Sequence, residues 1–141
     1  TAYRAFLKNP ERYGNVTMPQ FDGLIQEDLT LTYEMCGVNV ALAHGHQFAK
    51  SGAAQVKMEN WWKGQIMGIQ PVTTARILVA GHLHHFVASE ATGRTVFQCP
   101  AMDGGSKWFT SYSGSSSPAG MLTIGIGTDY GPRGWGDLEI L

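Results

Sequence analysis

The sequence predicts an α/β fold with mixed sheets flanked by helices, and two observations support this class. An apolar run at residues 77–80 follows an amphipathic segment, which is the pattern of a helix that leads into a buried parallel strand. Alternation of apolar and polar side chains on both sides of that unit indicates antiparallel strands as well. The length of 141 residues suits one domain, so we expect residues 1–141 to form a single domain.

The first half of the chain is predicted to hold a short helix, a strand pair and a longer helix. The short helix lies around residues 3–7, before the first proline. Residues 29–33 and 38–42 alternate apolar with polar side chains around a turn, which predicts two strands. Residues 51–70 place apolar side chains at spacings of three and four, which predicts a helix capped by Ser51.

The second half is predicted to be mainly β structure. After the buried strand, turn residues at 91–93 predict a hairpin. Residues 103–120 are rich in Gly and Ser and predict a long loop, a kind that is usually functional or mobile. Residues 121–127 and 134–141 then predict the last two strands.

Composition and charge restrict the class of function. Ten Lys and Arg residues against eleven Asp and Glu residues give a formal net charge of -1, and the bases are scattered, so charge alone does not predict nucleic-acid binding. Two cysteines without a C-x-x-C spacing predict free, buried thiols. No apolar run approaches the ~18 residues of a membrane span and no signal peptide is recognisable, so we expect a cytoplasmic protein without membrane contact.

All five histidines of the chain fall into two short motifs, "LAHGHQF" and "AGHLHHF". Each motif directly follows a predicted buried strand, and the carboxyl ends of parallel strands form the edge of a sheet where ligands bind. Imidazole is the commonest metal-ligating side chain, so this clustering predicts a metal or phosphate site. Gly45 and Gly81, next to the histidines, allow the backbone to approach closely and to adopt unusual dihedral angles.

The spacing of these motifs resembles a known family. "LAHGHQF", followed after one helix and one strand by "VAGHLHHF" and then "VFQCPAMDGGS", is similar to the last two motifs of the calcineurin-like metallophosphoesterase superfamily. The resemblance is closest to phosphoesterases or exonucleases of phages and bacteria, which implies a bacterial or phage-infected host cell. It covers the second half of such a domain, and the chain also lacks an initiator Met, so we expect a C-terminal part of a longer metallophosphoesterase-type α/β sandwich.

The resemblance also implies the site residues. By motif, His44 and His82 bind one divalent ion and His84 binds a second, with Mn, Zn or Fe as the metals that suit these ligands. His46 and His85 are expected to act in catalysis, or to contact the substrate or the metal ligands. The family's other ligands lie in upstream D-x-H, G-D and G-N-H-[DE] motifs, which are absent from this chain.

The implied reaction is metal-dependent hydrolysis of a phosphoester or phosphodiester, in DNA or a nucleotide, by a dinuclear site. Because the upstream ligands are missing, we expect this chain to be inactive until the N-terminal half or a partner chain supplies them, and an open sheet edge would also permit a homo-oligomer. Asp103, Lys107 and Trp108 are candidates for substrate contact, since a cation can meet a phosphate and an indole can stack on a base. The alternative for these three is an ordinary surface loop.

Two other functions stay open. The first is a non-catalytic scaffold of the same fold, because a protein-binding subunit of this superfamily carries a similar H-G-H-Q. The second is a complete mononuclear metal-binding module. Intact upstream carboxylate motifs would favour the enzyme, and their loss would favour the scaffold.

Overall fold

A computed structural model describes residues 10–13, 29–48, 51–105, 107–114 and 116–141. The described residues contain seven strands: β1 (Thr30–Met35), β2 (Val38–Ala43), β3 (Ile77–Ala80), β4 (Val87–Ala91), β5 (Arg94–Gln98), β6 (Leu122–Ile126) and β7 (Trp135–Ile140). They also contain two α-helices, α1 (Ala54–Met67) and α2 (Lys107–Ser113), and three 3-10 segments, at Pro10–Tyr13, Pro71–Thr74 and Thr128–Arg133. The short helix predicted around residues 3–7 lies outside the described residues.

The larger sheet is mixed. Its strand order is β1-β2-β3-β5-β4, in which β2, β3 and β5 run parallel, while β1 and β4 pair antiparallel with their neighbours. The β1-β2 pair and the β4-β5 hairpin are those that alternation and turn residues predicted. β6 and β7 form a separate antiparallel pair.

The two faces of the larger sheet are covered by different elements. On one face α1 packs Met58 and Trp62 against Leu78 of β3 and Val96 of β5. The opposite face packs against β6 and β7, with Val38, Val40, Ile77 and Phe97 buried beneath Leu122, Ile124, Ile126, Trp135 and Leu138. Successive strand residues point to opposite faces, so each central strand contributes to both cores. The result confirms the predicted α/β class with mixed sheets flanked by helices.

Helix α1 differs from its prediction at both ends. It begins at Ala54 with Ala53 in the N-cap position, and no side chain caps it, so Ser51 as a cap was wrong. Gly52, at φ +98°, turns the chain between Ser51 and the helix. At the other end the helix stops at Met67, where the N–H of Gly68 donates to the oxygen of Gly64 at 3.0 Å.

The predicted long loop at residues 103–120 is also partly wrong, because α2 occupies its centre. Trp108 and Tyr112, four residues apart, stack with ring centroids 5.3 Å apart and an interplanar angle of 3°, a pairing that stabilises a helical turn. Gly114, at φ +67°, ends the helix in the left-handed conformation that glycine adopts without strain. Lys107 and Trp108 therefore lie on a helix and not on a loop.

Both cysteines are free, as predicted. Cys36 is exposed, however, because it lies in the turn between β1 and β2, and the prediction of burial was wrong for it. Cys99 is half-buried after β5. Within the described ranges, no helix is long and apolar enough to cross a membrane.

Candidate metal centre

Both histidine motifs lie at the same edge of the larger sheet. Ala43, the last residue of β2, pairs with Ala80, the last residue of the parallel strand β3. His44 follows the first of these and Gly81-His82 the second, so the register alone brings the two loops together. We call this edge, with His44, His46, His82, His84 and His85, the histidine edge.

Gly45 permits the close approach of the two loops. Its φ is +104°, and a Cβ atom at this position would lie 2.9 Å from the Gly81 oxygen and 3.2 Å from the Cβ of His82. The Gly81 N–H in turn donates to the oxygens of Ala43, at 3.3 Å, and His44, at 3.1 Å. The backbone contact between the two motifs thus requires a glycine at position 45, whereas a Cβ atom at Gly81 would meet only the His44 oxygen, at an ordinary 3.4 Å.

The rings of His44, His46 and His82 form a compact group. The ring centroid of His44 lies 5.2 Å from that of His46 and 5.0 Å from that of His82, and the third distance is 6.5 Å. All three side chains are exposed. His84 is exposed as well and lines the same open cavity as His82.

His85 differs from the other four. It is half-buried, and its Nδ1 lies 2.8 Å from the backbone oxygen of Leu83. A carbonyl oxygen only accepts, so Nδ1 carries the proton and Nε2 is left as the free acceptor in the neutral ring. The structure therefore directs this imidazole toward its own loop.

The loop that carries His82 and His84 has an uncommon backbone. His82 has φ +70° and His84 has φ +60°, values in the left-handed region that few residues other than glycine adopt. The Leu83 N–H donates to the Gly81 oxygen at 2.9 Å, which closes the turn between them. Two such residues in one short loop indicate backbone strain of the kind that collects at functional sites.

The pKa of His82 lies below its usual value. Partial loss of hydration is the main cause, followed by the repulsion that the imidazolium of His82 would meet from His44, His46 and His84. The lowered pKa favours the neutral ring at pH 7, which is the form that binds metal.

The donor chemistry suits a divalent ion. Two imidazoles that bind one zinc ion at about 2.0–2.1 Å have ring centres roughly 5 Å apart. His44 has this spacing to both His82 and His46. Among the residues that the structure describes, however, no three His, Cys, Asp or Glu side chains are arranged to hold a metal ion. The histidine edge therefore supplies nitrogen donors at a suitable spacing without completing a site.

Two cavities adjoin these histidines. An open one of about 440 Å³ is lined by His82, His84, Cys99 and Asp103, among others. A more enclosed one of about 230 Å³ is lined by His84, His85, Asp103, Thr110, Ser116 and Ser117, among others. Burial raises the pKa of the Cys99 thiol, so the sulfur stays protonated and is a poor nucleophile or ligand.

The structure brings one of the three predicted substrate residues to these cavities. Asp103 lines both of them, and its Oδ1 accepts from the Gly105 N–H at 3.3 Å. Helix α2 contributes Thr110 to the described lining, whereas Lys107 and Trp108 do not belong to it. Trp108 is two residues from Thr110, about 200° around the helix, and therefore faces another direction.

Two glutamines support the histidine edge and were missed from the sequence. The side-chain oxygen of Gln47 accepts from the Gly45 N–H at 3.0 Å, and its nitrogen donates to the Leu29 oxygen at 3.3 Å. Gln98 is the last residue of β5 and donates to the Gly81 oxygen. Its position at the carboxyl end of a third parallel strand was the signal that could have identified it.

Comparison with solved structures identifies the fold. Vps29 of Entamoeba histolytica in complex with zinc matches at a TM-score of 0.52 and 17% identity, over 79% of this chain and 54% of that one. A single mutant of the same protein matches at a TM-score of 0.55 and 14% identity, over 87% of this chain and 65% of that one. Vacuolar protein sorting 29 of Cryptosporidium parvum matches at a TM-score of 0.51 and 16% identity, over 83% of this chain and 62% of that one.

The chain has the metallophosphoesterase-like fold of Vps29. It spans 54 to 65% of the length of these three structures. At such identities the likeness shows the fold alone. No protein-family model matches the sequence, and no curated protein matches it either.

Proposed function

We propose that this chain is the metal-binding C-terminal part of a calcineurin-like metallophosphoesterase domain, which hydrolyses phosphoester or phosphodiester bonds in DNA or nucleotides. The observation that best supports this is the meeting of the H-G-H and G-H-x-H motifs, with the rings of His44 and His82 5.0 Å apart. A protein of the same fold, Vps29 of Entamoeba histolytica, has been crystallised with zinc.

In this proposal His44 and His82 bind one divalent ion and His84 binds a second, each Mn, Zn or Fe. The ions would supply charge neutralisation for the phosphoryl oxygens. The remaining ligands would be supplied by the N-terminal half of such a domain or by a partner chain, because the described residues of the histidine edge do not form a complete ligand set.

His46 and His85 handle protons or contact the substrate. The exposed ring of His46, 5.2 Å from that of His44, can reach a phosphoryl oxygen beside the metal ligands. The Nε2 atom of His85 is free to accept a proton because Nδ1 is bonded to Leu83.

Asp103, Lys107 and Trp108 are the proposed substrate contacts, of which only Asp103 lines the cavities beside the histidines. Asp103 can accept from a hydroxyl group of the substrate in the cavity it lines with His84. Trp108 is 71% exposed, so its ring can stack on a nucleobase, and the neighbouring Lys107 can meet a phosphate.

A calorimetric titration with Zn²⁺ or Mn²⁺ tests the metal assignment. We expect the wild-type chain to bind weakly and H44A or H82A to lose at least about 100-fold in affinity, since even residues behind the ligands contribute 10–100-fold. E139A, which removes an exposed acid on β7, is the matched control and should bind as the wild type does. Unchanged affinity in H84A would contradict its role as a ligand.

An assay of phosphodiesterase activity tests the incompleteness of the site. The 141-residue chain should not hydrolyse bis(p-nitrophenyl) phosphate in the presence of Mn²⁺, and co-expression with a segment that carries the D-x-H, G-D and G-N-H-[DE] motifs should give turnover. Robust metal-dependent turnover by the chain alone would show that no further ligands are needed.

A protein-interaction scaffold of the same fold is the second candidate. It is favoured by the edge position of β1, which pairs only with β2 among the described strands, and by the exposed apolar side chains near it, Leu29 and Leu42. Unpaired backbone groups at such an edge can pair with a partner chain or with a second copy. Light scattering that gives a dimer mass, together with no metal binding in the titration, would favour this function over the enzyme.

A further inference from the structure

Gln98 is a buried amide placed directly behind the histidine edge. It is the last residue of β5, with an exposed fraction of 0%, and it pairs with Ala80 of β3. Its Nε2 donates to two backbone oxygens, those of Gly81 and Cys99. One side chain thus joins the start of the His82 loop to the end of the neighbouring strand.

The Gly81 peptide is the centre of this arrangement. Its N–H donates to the His44 loop, and its oxygen accepts from both Gln98 and the Leu83 N–H. Holding the Gly81 oxygen fixes the peptide plane between Gly81 and His82. The orientation of that plane constrains the φ angle of His82, which is left-handed at +70°.

Core stability alone does not account for an amide here. The Oε1 atom of Gln98 is buried and lacks a hydrogen-bond partner among the described residues. A buried acceptor without a donor is unfavourable, and an apolar side chain of equal size would avoid it. Buried groups that break such rules occur mainly where a functional geometry requires them.

We propose that Gln98 is a positioning residue that holds the ring of His82 in its metal-binding orientation beside His44. Without Gln98, the Gly81 oxygen keeps only the bond from the Leu83 N–H, so the peptide plane between Gly81 and His82 rotates more readily and His82 relaxes from the left-handed region toward a common conformation. Its ring then moves away from that of His44. This inference rests on the proposed metal-binding function, because the positions of the rings matter only if they bind an ion together.

Gln98→Met tests the proposal, since methionine has nearly the same volume but no donor. The matched control is Thr95→Val, which also removes a buried polar group from β5 but one that accepts from Trp135 on the opposite face. Zn²⁺ titration should show 10–100-fold weaker binding for Q98M, as for other residues that orient metal ligands, and wild-type affinity for T95V. If Q98M does not fold, Gln98→Leu takes its place.

A second measurement, by NMR, is made on the metal-free protein. The nuclear Overhauser effect between the ring protons of His44 and His82 should be present in the wild type and in T95V, and lost in Q98M. A folded Q98M with this effect intact and with wild-type Zn²⁺ affinity would overturn the proposal. If the wild type itself binds no Zn²⁺, the proposed function fails, and the ring contact in the metal-free protein still decides the role of Gln98.

Discussion

At each end of strand β2 a glycine with a positive φ permits a close contact, but one contact lies in a core and the other beside exposed histidines. At the first end, Gly134 at φ +74° passes Val38 so closely that a Cβ atom would lie 2.9 Å from a methyl carbon. At the other end, Gly45 at φ +104° passes Gly81, with the corresponding distance to its oxygen also 2.9 Å. Each glycine allows a contact that any other residue would prevent.

The first contact closes a core. Val38 is 2% exposed, Trp135 packs edge-on against Phe97 with centroids 4.9 Å apart, and the indole N–H donates to Thr95 at 2.8 Å. At the second end Gly45 also touches the core, since a Cβ atom there would lie 3.2 Å from Cε2 of the buried Phe48. The imidazoles of His44, His46 and His82 beside it are nevertheless exposed. Buried side chains surround the constrained backbone of both glycines, whereas His82 and His84 have left-handed φ angles and exposed side chains. Packing does not offset the constrained backbone of these two histidines, which supports a functional reason for the geometry of their loop.

Gly134→Ala should have the largest effect on stability. The added methyl group meets the buried Val38 at a left-handed position, and overpacking combined with backbone strain should lower the free energy of unfolding by about 3 kcal/mol. Urea denaturation measures this change. Metal affinity of the folded fraction should not change, and a loss of it would show that the two ends of β2 are coupled.

Gly45→Ala should cost less stability but alter the site. Its methyl group would lie 2.9 Å from the Gly81 oxygen and 3.2 Å from the Phe48 ring, contacts that a shift of the exposed His82 loop can relieve. We therefore expect about 1–2 kcal/mol of destabilisation from the strained φ. Because the loops separate, Zn²⁺ affinity should fall by about 10-fold or more, as when groups that orient ligands are lost. If a stable G45A protein bound Zn²⁺ with wild-type affinity, Gly45 would affect only stability, as Gly134 is expected to do.

Trp135→Phe tests how much the hydrogen bond to Thr95 contributes to the core beside Val38 and Gly134. The ring contact with Phe97 is retained, while the hydrogen bond to Thr95 is lost, so the free energy of unfolding should fall by about 1 kcal/mol. Thermal unfolding followed by circular dichroism measures it. A loss as large as that in G134A would mean that the hydrogen bond and not the packing dominates there.

The smallest expected effect is the pH response of His82. Its pKa is below 6.5 in the folded chain, mainly through partial loss of hydration, so the unfolded state binds more protons as the pH falls through that value. Acidification should therefore lower stability slightly. In an NMR titration, H44A should raise the His82 pKa only part of the way to its usual value, because the effect of hydration remains; full restoration would mean that charge repulsion is the larger cause.

Most of the fold could be predicted because its signals are local. Alternation in 29–33 and 38–42 and turn residues at 91–93 depend on neighbours in sequence, and the structure confirms the strands they predicted. Helix α2 was missed because Gly and Ser on both sides of it concealed a single aromatic pair. The start of α1 was misplaced because Ser51 is a capping residue by type but is separated from the helix by a left-handed glycine.

The sequence by itself determined that the five histidines fall into two motifs, each directly after a predicted strand, and that each group has a glycine beside it. Only the tertiary structure decided which rings meet: His46 joins His44 and His82, whereas His85 turns to the Leu83 carbonyl. It also decided that Gln98, from a strand further along the chain, holds the Gly81 peptide. Strand ends follow from side-chain periodicity, but ring distances depend on the register of parallel strands and on loop contacts between residues far apart in sequence.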